Sequence, residues 1–417
     1  MTASTRSSAA TIKLRRPIML GGHVSAHPNT SLPHALRIGD TIYIGGQMSV
    51  ASDGKVVGAG DIATQTDQVF RNMQELLRAA GTDMPDLMKL HTYYRYRGDN
   101  TGRAATDYWE DMTKVRLRYL ANPGPAATAV RVEGAPTERH LIGIDGIGVI
   151  GGDRRRIMPK HTWDWSIPTP FSQGWRLGNK IFFGGQISAD MKGRAVAAGD
   201  VNAQTRNILE FIRHVLVEGG GTWSDLVTLK ICYKHAGSDR EARALLDQIL
   251  TVCRETIPEP RPALTAFGVD LLYEGLVLEI DAIAILGGNE KIVAAGSESW
   301  IATPGFSQAW RAGDEVWLGA VSAPGGANMQ AQAEASLERM RRVLGEAGGG
   351  LQHAAKLTAF YVTESPEDDG EREYRTILKA LADYLPTPGP VVTIIRVPGL
   401  PHEGQRFAID GIAVLDE

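Results

Sequence analysis

Three aspartates hold the same place in three widely separated stretches of this chain: Asp145 within 141–150, Asp281 within 276–286 and Asp410 within 406–415, each otherwise a nearly continuous apolar run. A carboxylate in such surroundings must find partners, because an unpaired buried charge is very costly. Its recurrence points to a shared structural task, accepting backbone N–H groups or pairing with an arginine of a neighbouring copy, with catalysis as the alternative. A second recurring position carries His91, Lys230 and Thr358 among apolar neighbours. A lysine there either reaches a pocket, where desolvation would lower its pKa toward general-base use, or extends its ammonium to the rim. Lys230 is therefore a candidate catalytic residue, and His91 is either a base or an interior histidine with satisfied ring nitrogens.

Trp163, Trp165, Trp175, Trp300 and Trp310 gather in two stretches. They are read either as interface packing or as an aromatic wall for a planar ligand, which makes Trp175 a candidate substrate-binding residue. Gly146-Ile-Gly148-Val-Ile-Gly151 has the dinucleotide-binding spacing, but it ends a strand instead of opening a helix, so no nucleotide site is expected. His23 and His27 have metal-like spacing without further ligands, and no metal or organic cofactor is expected. The balance of 44 basic against 48 acidic side chains, net −4, gives no broad footprint for nucleic acid or anionic lipid. Two cysteines, Cys232 and Cys253, build no disulfide framework, and no apolar stretch approaches a membrane span. These features lead to the expectation of a cytoplasmic protein, with residues 1–16 as a flexible tail.

The elements that must position these residues come in three copies. Arg37-Ile-Gly39 followed by Ile42-Tyr-Ile-Gly-Gly-Gln-Met-Ser49 returns as Arg176-Leu-Gly178 with Ile181-Phe-Phe-Gly-Gly-Gln-Ile-Ser188, then as Arg311-Ala-Gly313 with Val316-Trp-Leu-Gly-Ala-Val-Ser322. Gly46 to Gly185 is 139 residues and Gly185 to Gly319 is 134, each the size of a compact domain. The expected repeats are 17–152, 153–288 and 289–417. Within each, apolar residues at helical spacing follow a capping acid such as Asp61 or Asp200, a strand follows, then a second amphipathic helix and two strands. The order is β-β-α-β-α-β-β in an α+β fold, with both helices on one face of the sheet.

That order resembles the RidA (YjgF) family. The likeness rests on the Phe171-Ser-Gln173 lead-in, the Gly185-Gln186 strand end, the helix start Gly199-Asp200 with Gln204-Thr205, and the close Glu279 to Ala284. Family members are typically homotrimers with a barrel-like sheet core and ligand pockets between subunits. The resemblance implies that this chain forms an intramolecular pseudo-trimer around such a core, helices outside, with Phe171, Gly185 and Gln186 binding substrate. Many members hydrolyse enamines or imines without a cofactor, using an arginine fork for a substrate carboxylate and a glutamate that positions water. Here the arginine position holds Ala127, Leu264 and Val392, while the glutamate maps to Gly143, Glu279 and Ala408. Arg261, beside Pro262, is a candidate substitute cation for substrate. Arg131 and Arg396 lie on the same strand face as the lost arginine, but roughly 13 Å further along.

The resulting expectation is an enzyme acting on a small planar enamine, imine or related C=N compound, with Glu279 and Lys230 catalytic. The loss of the arginine favours a different reading, a non-catalytic small-molecule-binding or scaffolding protein. RNA cleavage, also attached to the family, fits poorly with the negative charge. A small molecule is the expected partner, nucleic acid and membrane are not, and self-association of whole chains is compatible with this arrangement.

Overall fold

The computed structural model describes residues 13–20, 32–51, 55–98, 103–292, 303–365 and 368–416. Its first stretch contains β1 (Arg15–Ile18), β2 (Ala35–Ile38), β3 (Thr41–Met48), α1 (Ile62–Ala80), β4 (Leu87–Tyr94), α2 (Ala104–Arg116), β5 (Ala126–Arg131) and β6 (Ile142–Val149). The strands form one sheet in the order β1-β2-β3-β6-β4-β5, with β4 and β5 parallel. The second contains β7 (Arg154–Ile157), β8 (Gly174–Leu177), β9 (Lys180–Phe183), β10 (Gln186–Ile187), α3 (Val201–Gly219), β11 (Leu226–Lys234), α4 (Asp239–Thr256), β12 (Ala263–Val269) and β13 (Leu278–Ile285). The third contains β14 (Asn289–Ile292), β15 (Ala309–Ala312), β16 (Glu315–Val321), α5 (Met329–Glu346), β17 (Ala354–Tyr361), α6 (Glu371–Tyr384), β18 (Val391–Arg396) and β19 (Phe407–Val414). Both later sheets repeat the first sheet's strand order, including the parallel pair.

Local chemistry explains the repetition. Asp61, Asp200 and Asn328 accept hydrogen bonds from the first-turn N–H groups of α1, α3 and α5, and Gly81 ends α1 at φ 94°, where a β-carbon would be strained. The repeated arginines are struts: Arg37, Arg176 and Arg311 donate to the final carbonyls Ala80, Gly219 and Ala347 at 2.7, 2.8 and 3.0 Å. Gln65, Gln204 and Gln332 each accept from the backbone N–H that leads into the last strand, at Leu141, Val277 and Arg406.

Strand alternation divides the apolar residues between two layers. Ile42 and Ile44 face α1 and α2, whereas Tyr43 joins Leu36, Ile147, Phe182, Ile283, Trp317 and Ile412 in a cluster drawn from all three sheets. Backbone contacts also link each pair of repeats: Arg131 with Asp270, Gly134 with Arg396, and Gly268 with Gly399.

Several expectations are corrected. Each repeat has an additional leading strand, and Arg154-Arg-Arg156 begins β7. Arg15 and Arg16 likewise belong to a strand; Arg15 donates to the carbonyls of His353, Ala354 and Val414, which leaves residues 1–12 of the expected tail outside the described residues. Among the described residues no closed barrel forms, because the strands remain in three sheets that meet through isolated bridges. His23, His27 and Trp300 also lie outside the described residues.

Candidate functional site

The inner strands carry a belt of buried charge. Asp281 accepts from Lys89 Nζ at 2.7 Å and Thr128 Oγ1 at 2.9 Å, and His91 Nε2 lies 2.8 Å away. Asp145 lies 3.0 Å from both Lys356 Nζ and His91 Nδ1. Asp410 meets Lys230 Nζ at 3.0 Å and Thr265 Oγ1 at 2.9 Å. Apart from the His91–Asp145 contact, every one of these links joins neighbouring repeats. The aspartates thus have the pairing role, with lysines in place of arginines. Lys89 and Lys356 share one position, filled by Thr228 in the second repeat, where the cation has moved two residues along to Lys230. The shift is even, so the ammonium stays on the inner face and each aspartate keeps a lysine.

Burial alone would raise the carboxyls, but Lys356 and His91 hold Asp145, and Lys89 and His91 hold Asp281, well below the usual range. Burial would lower Lys230, yet Asp410, Asp145 and Asp281 outweigh it and raise its pKa. Lys230 is therefore a firmly held ammonium, opposite to the lowered pKa expected for a base. A cavity of about 60 Å³ beside it is lined by Lys89, His91, Lys230, Lys356 and Trp317. At ~10–15 Å³ per water, that space suits a few water molecules.

Glu279 lies at the junction of the first two repeats. It pairs in register with Cys232 on β11, is 6% exposed, and accepts from the N–H of Ala129 on the neighbouring β5. A β-carbon on Gly185 would sit 1.9 Å from its Oε1, so glycine makes room for the carboxyl. Strand register makes Ala320 the third repeat's equivalent of Gly185, shifting the expected Gly319 match by one residue. There the glutamate position holds Ala408, so added bulk on one strand accompanies a lost acid on the other. Burial, reinforced by Asp281 and opposed by Lys89, pushes Glu279 up to about 8. Such a carboxyl holds its proton at neutrality and can give or take one nearby.

The other expected residues fall into two groups. Phe171 packs on Trp163 and Trp165 at 5.1 and 5.8 Å between ring centroids. Gln186 donates to Gly184 O at 2.9 Å and accepts from Trp163 Nε1 at 3.3 Å, fixing the turn that presents Gly185. Trp175 and Ser172 both donate to Gly124 O, at 2.9 and 2.7 Å, clasping the second repeat to the first. Trp310 and Ser307 clasp Arg261 O in the same way at the next junction. Arg261 directs its guanidinium to the carbonyls of Arg254, Ile257 and Gly305 and to Glu259, which makes it a strut between repeats. The structure therefore gathers Glu279, Gly185, Gln186, Phe171 and Trp175 at the first junction, while Lys230 and Arg261 bond at the second. Arg131 also serves the first junction, paired with Asp270 at 3.0 Å. Lys89, Lys356, Thr128 and Thr265 escaped the sequence reading; the threonine ending Pro125-Ala-Ala-Thr128 and Pro262-Ala-Leu-Thr265 was their visible signal.

Among the described residues no helix is long and apolar enough to cross a membrane, and no cluster of three histidine, cysteine or acidic residues suits a metal. A family model described as Endoribonuclease L-PSP matches residues 24–150 and 166–286. A RutC family protein of Pyrococcus abyssi is 31% identical over 115 residues, 28% of this chain and 85% of its own. The 3-aminoacrylate deaminase RutC of Acinetobacter baylyi is 31% identical over 115 residues, 28% of this chain and 86% of its own. A chorismatase crystal structure aligns over 79% of this chain and 93% of its own, at 14% identity and a TM-score of 0.51, a likeness of fold.

Proposed function

Because this chain belongs to the RidA/RutC family, whose model is described as Endoribonuclease L-PSP, we propose that it is a deaminase-type hydrolase of small planar enamines or imines. The reaction needs no cofactor and takes place where the first two repeats meet. The observation that carries this reading is Glu279, a buried carboxyl with its pKa near 8 set against the neighbouring repeat's β5. Protonated Glu279 would donate to the enamine carbon, giving the iminium ion and the carboxylate. That carboxylate would then take a proton from water attacking the C=N carbon, which restores the acid. In the resulting carbinolamine the acid gives its proton to the amine and takes the one on the hydroxyl, so ammonia leaves, a carbonyl compound remains and Glu279 ends protonated.

Ala127, in the arginine position beside this junction, provides no fork for a substrate carboxylate. Uncharged enamines are therefore the expected better substrates, and imino acids the poorer ones. The three repeats are proposed to form a pseudo-trimer, supported by the aspartate belt and the clasps. One chain would then supply all three junctions and run as a 45.1 kDa monomer by light scattering.

Ammonia release from freshly generated 2-aminoacrylate and from an uncharged enamine tests the activity. Glu279→Gln should lower kcat by about 10²–10⁴ with little change in KM. Unchanged turnover removes Glu279 from the mechanism. No ammonia from either substrate favours the binding or scaffolding reading, for which the specific observation is the absence of the arginine from all three repeats.

A further inference from the structure

Along one stripe of its second helix the first repeat departs from the other two. Trp109, Thr113 and Arg116 stand four and three residues apart, which stacks them on one face of α2. The equivalent residues are Leu246, Leu250 and Cys253 on α4 and Tyr374, Leu378 and Leu381 on α6, all within their repeats' apolar cores. The first repeat's stripe is just as deeply buried, with Arg116 1% exposed, but it carries hydrogen-bond donors. Among the described residues these donors have no acceptor: Trp109 Nε1, Thr113 Oγ1, and Arg116 Nε and Nη2. Trp165, stacked on Trp109 at 4.7 Å, adds another unpartnered buried indole N–H.

Each such donor is costly when left without an acceptor, and a buried cation more so. Burial brings Arg116 down to about 10, so it is charged at neutral pH, and among the described residues no carboxylate offsets it. Nε and Nη2 form the edge of a guanidinium that takes a carboxylate by two parallel bonds. A groove of about 680 Å³ begins at Leu117, the residue after Arg116, and runs between Leu117 and Leu120 on one side and Trp165, Ile167 and Phe171 on the other, with Arg156 and Asp164 also in its wall; Trp165, stacked on Trp109, joins it to the stripe.

We infer that this stripe anchors a binding site for a small planar organic carboxylate. The acid sits on Arg116 and Thr113, and the conjugated body lies along the aromatic wall of the groove. The stripe lies on α2 and Glu279 on β13, so binding at the stripe and turnover at Glu279 are tested by separate variants.

Benzoate, titrated into the full chain and followed by tryptophan fluorescence and thermal unfolding, tests the assignment, with inorganic phosphate as the control. Saturable quenching and a rise in Tm are expected with benzoate and not with phosphate. Arg116→Leu, which installs the third repeat's residue, should raise the Tm of the ligand-free protein and weaken benzoate at least tenfold. Arg116→Lys keeps a cation without the fork and should weaken it to a lesser degree. The assignment is overturned by a wild type that does not respond to benzoate, by equal responses to phosphate and benzoate, or by a folded Arg116 variant that binds benzoate as the wild type does.

Discussion

At the scale of single residues, environment decides role more strongly than residue type. Lys230 and Glu279 both lie on inner strands near Asp281, yet the aspartates fix Lys230 as a cation while burial and Asp281 keep Glu279 protonated. Titration of Glu279 has a consequence for stability. Its ordinary value of 4.5 applies to the unfolded chain and about 8 to the folded one, so between these the native state holds a proton that the unfolded state has lost. Stability therefore falls as the pH rises through that window, and the cost is complete above 8. Glu279→Gln should flatten the decline, with its Tm advantage over wild type larger at pH 9 than at pH 5. Parallel Tm curves for the two proteins across that range would refute the shifted carboxyl.

Among elements, the junction between β10 and β13 shows two strands answering each other's bulk. Gly185 accompanies Glu279, and Ala320 accompanies Ala408. Gly185→Ala should therefore be destabilising, by about 1–3 kcal/mol for an overpacked interior. Adding Glu279→Ala, which copies the third repeat, should recover most of that loss in denaturant unfolding; additive losses would mean that the two positions do not share space. The clasps show a similar dependence. Ser and Trp secure the first and second junctions, but the lead-in of the first repeat has Leu32, Pro33 and His34 instead. Leu32 is buried in the third repeat's apolar core, worth about 1.5–3 kcal/mol if fully buried. At this clasp position the junction that closes the chain on itself is thus apolar, while Arg15 hydrogen-bonds across it elsewhere.

For the whole molecule, the aspartate belt makes the repeats depend on each other. Removing Lys356 would leave Asp145 buried with His91 as its remaining partner, and breaking a buried pair costs about 3–5 kcal/mol. Lys356→Met should lower stability by that order and unfold all three repeats in one transition, seen alike by fluorescence and circular dichroism. A separate early transition would show that the repeats are energetically independent. Asp145 and Asp281 have folded pKa values below their ordinary 3.8, so their contribution is present above that value and is lost as the pH falls below it. Acid unfolding should begin in that range and shift upward in Lys356→Met.

The sequence by itself determined the threefold repeat, the helix starts at Asp61 and Asp200, the inner strands and the recurring aspartates, because local periodicity and capping chemistry are written in neighbouring residues. It also carried the family likeness and the missing arginine. The short leading strands escaped it, since β1, β7 and β14 are four residues each and too polar to show a period. Tertiary structure alone decided which cation meets which aspartate, that Arg261 is a strut, and that Lys230 bonds at a different junction from Glu279. The charge pairings rest on contacts between residues more than a hundred positions apart, and the Arg261 strut on a contact with Gly305 in the next repeat, where side-chain direction and burial decide the outcome. The unpartnered stripe of α2 belongs to the same class: Trp109, Thr113 and Arg116 read as an ordinary helix face until packing buries their donors with no acceptor among the described residues.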